Sequence, residues 1–94
     1  MATLEAPSLA GSRDRAQELL AELPSDLSNS EVILDCHGLL AATVSFADEL
    51  VQEVLVRRKA QALHAVRVTD QEFADYLVRR ADVHGVSDRL TVSS

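Results

Sequence analysis

The stretch from Glu31 to Leu50, EVILDCHGLLAATVSFADEL, decides the fold. Its opening run, Glu31 to Cys36, is almost continuously apolar and carries the β-branched pair Val32 and Ile33. Six residues are too few for a helix, so the run reads as a buried, central strand. His37-Gly38 marks the exit turn. Ser45 then opens SFADELVQEVLVRRKA, in which Phe46, Ala47, Leu50, Val51, Val54 and Leu55 form a broad apolar helical face. Ser45 and Asp48 have the spacing of a capping box, and Arg57, Arg58 and Lys59 crowd the last turn, where cations suit the helix dipole.

The same alternation continues on both sides. Downstream, Leu63 to Val68 is a second strand, and Thr69 with Glu72 caps a further helix lined by Phe73, Leu77, Val78 and Ala81 and stopped at Gly85. Arg89 to Val92 is either a terminal strand or a loose tail. Upstream, Ser12 precedes RDRAQELLAEL, whose Ala16, Leu19, Leu20 and Leu23 make one helical stripe that Pro24 ends. Strand, helix, strand, helix imposes a parallel pair joined by a right-handed crossover. The expected fold class is therefore a small α/β domain: a single-layer sheet with a parallel β-α-β core and helices packed on it. Residues 1–11 read as an N-terminal tail or edge strand, and 12–94 as the domain proper.

Composition narrows the function. The chain has 94 residues, enough for one domain, and only two phenylalanines and one tyrosine, so leucine, valine, alanine and isoleucine must build its core. A net charge of -6 repels phosphate backbones and anionic lipid, which speaks against nucleic-acid and membrane-surface binding. The lone Cys36 can make no internal disulfide. No apolar run approaches the ~20 residues that span a bilayer, and the acidic start lacks the pattern of a leader, so a cytoplasmic location is expected.

Chemistry in open α/β sheets gathers beyond the carboxyl ends of the strands. That region holds the strand-end Asp35, Cys36, His37, Gly38, the 39–44 loop and the helix start at Ser45, whose free N–H groups favour an anion. Ser45 is equally well explained as a plain N-cap. Cys36 and His37 are neighbours on a strand and point to opposite faces, which makes Cys36 a buried structural residue rather than half of a thiol–imidazole pair. Cys36, His37, His64 and His84 match no metal-ligand spacing, and Gly11, Gly38 and Gly85 are isolated, so no phosphate-cradling loop exists. Asp35 does not suit a receiver-domain phosphoacceptor, because that fold needs five parallel strands. No enzyme activity, metal or cofactor is expected. The run Leu39, Leu40, Ala41, Ala42 is an apolar loop directly before a helix start; such a loop is tucked over the sheet or covered by another protein. In the second case Leu39, Leu40, Val44 and Ser45, with Asp48 and Glu49 on the helix, form the partner-binding surface.

The segment Val32 to Leu50 resembles the STAS-like family of the SFADEL type, through Ile33, Leu34, Asp35, Gly38, Ser45, Phe46, Ala47, Asp48, Glu49 and Leu50. GSRDRAQELL at 11–20 is similar to the segment that leads into the strand in such proteins. The resemblance implies a relative of the bacterial anti-sigma-factor antagonists, which bind a histidine-kinase-like ATPase or anti-sigma factor and are switched by phosphorylation of a serine at this helix start. A gap-free alignment sets the antagonists' Asp-Ser-Ser/Thr-Gly run on Thr43, Val44, Ser45 and Phe46. Val44 then occupies the usual acceptor position, which leaves Ser45 and Thr43 as the candidates for phosphorylation. Two other classes remain open: a phosphate-independent dimeric adaptor of a phage or defence system, and a small-ligand or nucleotide sensor.

Overall fold

A computed structural model describes residues 1–94. In chain order the elements are β1 (Ala2–Glu5), β2 (Leu9–Ala10), α1 (Arg13–Leu20), β3 (Glu31–Asp35), β4 (Ala41–Ala42), α2 (Val44–Val51, continued as a π-helical turn over Gln52–Arg57), β5 (Ala62–Val66), α3 (Gln71–Val83), a 3-10 turn (Ser87–Arg89) and β6 (Leu90–Val92). β1, β3, β5 and β6 form one sheet in that order, every pair parallel, with Ala2 opposite Val32, Val32 opposite Leu63 and Leu63 opposite Leu90. Residues 1–11 thus supply the edge strand β1, and the chain from Leu90 supplies the other edge. β2 and β4 form a second, two-stranded parallel ladder, Leu9 opposite Ala41 and Ala10 opposite Ala42.

Each crossover steps to the next strand in the same direction. Right-handed crossovers of that kind place all their helices on one face. The burial of the two central strands agrees: Val32, Leu34, Leu63 and Ala65 are buried, while the alternate residues Ile33 and His64 are only half-buried. β3 is thus an interior strand of the sheet, as expected, buried on its helix-covered face. The strand order never reverses, so the sheet has no switch-point crevice of the kind that holds nucleotides. On the uncovered face Thr3, Ile33, His64 and Thr91 lie in one row, and His64 spans it, with Nε2 2.6 Å from Glu31 Oε1 and Nδ1 2.6 Å from Thr91 Oγ1.

The core lies between sheet and helices. α2 is the central helix, packed against α1 on one side and α3 on the other, and its Phe46 ring meets Phe73 of α3 at 6.1 Å between centroids. The segment FADEL at 46–50 and its local echo FADYL at 73–77 are thereby brought together, yet only Phe73, Leu77 and Ala81 of α3 are buried; Val78 faces out. The helix ends differ from the sequence reading in four places. The α2 cap is Thr43, whose Oγ1 accepts the Phe46 N–H at 3.2 Å, so Ser45 lies inside the first turn. The α3 cap is Asp70, accepting the Glu72 N–H, and not Thr69. α1 stops at Leu20, short of Pro24, where tighter bonds from Ala21 to Glu18 and from Leu23 to Leu20 close its last turn. Finally, α2 widens after Val51: the Arg58 N–H donates to the Glu53 carbonyl, five residues back, a π-type bond that keeps both Val54 and Leu55 in the core.

Two arginines close helix carboxyl ends from a distance. Arg58 Nη1 donates to the Leu20 and Leu23 carbonyls at 2.8 and 3.1 Å, beyond the end of α1. Arg89 donates to the carbonyls of Leu55 and Ala60, at 2.7 and 2.8 Å, where the helix of α2 runs out. Orphan carbonyls that lack a local cap are satisfied in this way.

Candidate functional site

The β3–α2 connection is the segment on which the sequence reading centred, and the structure divides it. Leu39 is buried in the core, so its expected place on a partner-binding surface is corrected. Ala41 and Ala42 are not loop but β4, held beside β2. Leu40 stands out at 76% exposure, with its own N–H bonded to the Ser8 carbonyl at 2.8 Å. Leu9 (64% exposed), on the neighbouring β2, and Val44 (45%), the first residue of α2, join it. A shallow depression of about 160 Å³ lies among Leu9, Ala10, Gly11, Ala41, Ala42 and Thr43. The result is an uncharged apolar collar around the start of α2, with Thr43 and Ser45 exposed on it. Leu9 was missed from the sequence because the pairing of β2 with β4, two residues each, leaves no periodic signal.

Asp48 and Glu49 are corrected more sharply. They are 3% and 7% exposed, and their carboxylates face neighbouring helices rather than a partner. Asp48 accepts from Arg13 Nη1 of α1 at 2.7 Å, from Gln52 Nε2 at 2.7 Å and from Arg80 Nε of α3 at 2.9 Å; His84 Nε2 lies at 2.8 Å. Glu49 accepts from Arg13, Gln17 and Arg57. Glu53, one turn on, accepts from Gln17, Arg57 and Arg58. Burial alone would push the Asp48 carboxyl up, but the hydrogen bonds of His84, Arg13, Gln52 and Arg80 outweigh it and hold the group well below the usual carboxylate range. Glu49 is lowered in the same way by Gln17 and Arg57 against burial, and Glu53 is brought to about 2 by Arg57, Arg58 and Gln17. No buried side-chain nitrogen or oxygen lacks a partner. The acidic pair of SFADEL is therefore a clasp that ties α1 and α3 to the central helix.

Asp35 ends β3 as expected, and its oxygens are already taken. Arg67 grips it with two guanidinium nitrogens, Nε at 3.0 Å from Oδ1, while the His37 N–H and Nδ1 both lie 3.1 Å from Oδ1. The Arg67 hydrogen bond, with help from His37, holds the carboxyl well below its usual range. Arg67 does this from a left-handed backbone conformation, φ 54°. Nothing in the sequence pattern singles Arg67 out, since its partner lies on another strand. Cys36 is buried, with Sγ 3.6 Å from the Leu34 carbonyl, and burial pushes its thiol up to about 11. Burial and the raised thiol both disfavour the thiolate at neutral pH. No group of three or more His, Cys, Asp or Glu side chains is placed to hold a metal ion, and no helix is long and apolar enough to cross a membrane.

No family model, curated protein or solved structure matches the chain.

Proposed function

We propose that the chain is a non-enzymatic regulatory interaction domain that docks a protein partner on the collar around the start of α2. The observation that carries this reading is the exposure of Leu9, Leu40 and Val44 together, beside Ser45 and Thr43, on one uncharged patch of an otherwise acidic molecule. The resemblance to anti-sigma-factor antagonists names the partner class: a histidine-kinase-like ATPase or anti-sigma factor. Ser45, exposed within the patch, is the hydroxyl at which added phosphate would place ~1.5 to 2 negative charges against that partner. The test is titration calorimetry with a histidine-kinase-like ATPase or anti-sigma factor. Leu40→Asp should abolish binding, Ser45→Glu should weaken it, and transfer of labelled phosphate should stop in Ser45→Ala.

A second reading is a phosphate-independent adaptor, with self-association through the same patch. Two observations favour it: Val44 fills the usual acceptor position, and the Thr43 hydroxyl is engaged as the helix cap. Binding that is lost in Leu40→Asp yet unchanged in Ser45→Glu would select this reading over the first.

A further inference from the structure

A second surface lies at the opposite edge of the sheet from β1. A groove of about 300 Å³ runs between the amino-terminal half of α3 and the end of β6. Its floor is apolar, from Val68, Ala74, Val78 and Val92, and its rim carries Asp70 and Asp75. Val78 is exposed there, while Phe73, Leu77 and Ala81 of the same helix are buried in the core. Neither aspartate forms an ion pair, and Arg79 makes none with either. Asp70 spends one oxygen on the Glu72 N–H, and Asp75 accepts only from Gln71 Nε2 at 3.1 Å. The contrast with the echo segment is direct: Asp48 of FADEL is buried under two arginines, whereas Asp75 of FADYL faces solvent without a cation.

The groove borders an unpaired strand edge. The Ser93 N–H donates to the Ala65 carbonyl at 2.9 Å, and the Ser93 carbonyl accepts from Val68 at 3.0 Å. Successive main-chain groups of a strand point to alternate sides, so those of Val92 point away from β5, where no further strand lies. A free edge beside an apolar groove is the arrangement that recognition by strand addition uses, and the acidic rim adds a charge preference.

We propose that this groove binds an extended basic peptide segment, which adds as a strand beside β6, seats an apolar side chain against Val78 and Val92, and sets lysine or arginine against Asp70 and Asp75. The sign of the rim chooses the partner: an acidic or neutral strand gains nothing from it, and a second copy of this chain would bring its own two aspartates against these.

The probe is the hexapeptide Thr-Lys-Thr-Val-Thr-Lys, whose lysines and valine share one face of a strand, titrated into the intact chain by NMR. Shifts should be confined to 68–78 and 90–94. Val78→Arg, which fills the floor and sets a cation beside the two aspartates, should weaken binding by about tenfold or more, and Asp75→Asn by about threefold. Both positions are exposed, so both variants keep the fold, which the remaining spectrum verifies. The same peptide with glutamate in place of lysine should not bind, and N-methylation of the central amides should abolish binding. Binding that survives Val78→Arg, or shifts spread over the surface, is general attraction to an acidic chain and overturns the proposal. Sedimentation that reveals a dimer broken by Val78→Arg, with no peptide binding, gives the groove to a second copy and overturns it equally.

Discussion

Arg13 Nη1 of α1 lies 2.7 Å from Asp48 Oδ2 and 3.3 Å from Glu49 Oε1, so one guanidinium joins α1 to both carboxylates of the central helix. Asp48 is the more buried end, and three cationic or ionisable side chains converge on it. Asp48→Ala removes the shared acceptor of Arg13, Gln52 and Arg80, side chains that water still reaches in part, and should lower stability by roughly 1–3 kcal/mol. Arg13→Ala, at a half-exposed side chain screened by solvent, should cost no more than about 1 kcal/mol. Urea unfolding of both variants checks the asymmetry; equal losses would mean that the clasp does not centre on Asp48.

The same carboxylates set the acid limb of stability. Asp48, Glu49 and Glu53 all titrate lower in the folded chain than when unfolded. The unfolded state then binds more protons, so their contribution is fully present above the ordinary carboxylate range near ~4.3 and is lost as pH falls. For Glu53 the loss runs down to about 2. Thermal unfolding between pH 6 and 2 should show a steady fall in midpoint, and Glu53→Gln should flatten it at the acid end.

The helix cap separates Thr43 from Ser45. Thr43→Ala removes the acceptor of the Phe46 N–H and should cost about 1 kcal/mol, with Thr43→Asp restoring most of it. Ser45→Ala should lie within about 0.5 kcal/mol of the parent, because an exposed side chain inside the first turn makes no cap bond. A larger loss at Ser45 than at Thr43 would move the helix start two residues on.

How much of this was legible beforehand depends on whether the signal is local. The run Val32 to Asp35 and the stripe Phe46, Leu50, Val54 carry the strand–helix unit in their own spacing, and with the crossover rule they deliver the parallel sheet. The caps shifted by one or two positions because Thr43 and Ser45, like Asp70 and Thr69, are all competent acceptors, and only the backbone turn decides between them. Asp48 and Glu49 read as partner-facing because charge is normally outside; Arg13, Arg80 and His84 stand 32 to 36 residues away on or beside α1 and α3, beyond any pattern in the sequence, and only Arg57 is local, eight residues on from Glu49. Arg58 and Arg89, which close the ends of other helices, were invisible for the same reason.

Cys36 should report whether the sheet stays closed. Burial raises its thiol to about 11, so at pH 8 little thiolate forms and little of it is reachable. A chromogenic disulfide reagent should label the native chain slowly and the urea-unfolded chain at once. Fast native labelling would place the end of β3 in solvent.

The last prediction concerns the collar, where the apolar run Leu39-Leu40 splits into two opposite roles. Leu39 is buried, and Leu39→Asp leaves a charge in the core, a change that should unfold the domain. Leu40 is 76% exposed, and Leu40→Asp removes apolar surface from water, so its melting point should match the parent within a few degrees. Val44→Asp should be tolerated too, since an acid at the first position of α2 suits the helix dipole. If the collar docks a partner, both exposed variants lose binding while circular dichroism and melting stay unchanged. Loss of folding in Leu40→Asp would place that side chain in the core and remove the collar from the docking surface. Unchanged fold together with unchanged binding, in both variants, would leave the collar as ordinary surface and the proposed docking role without support.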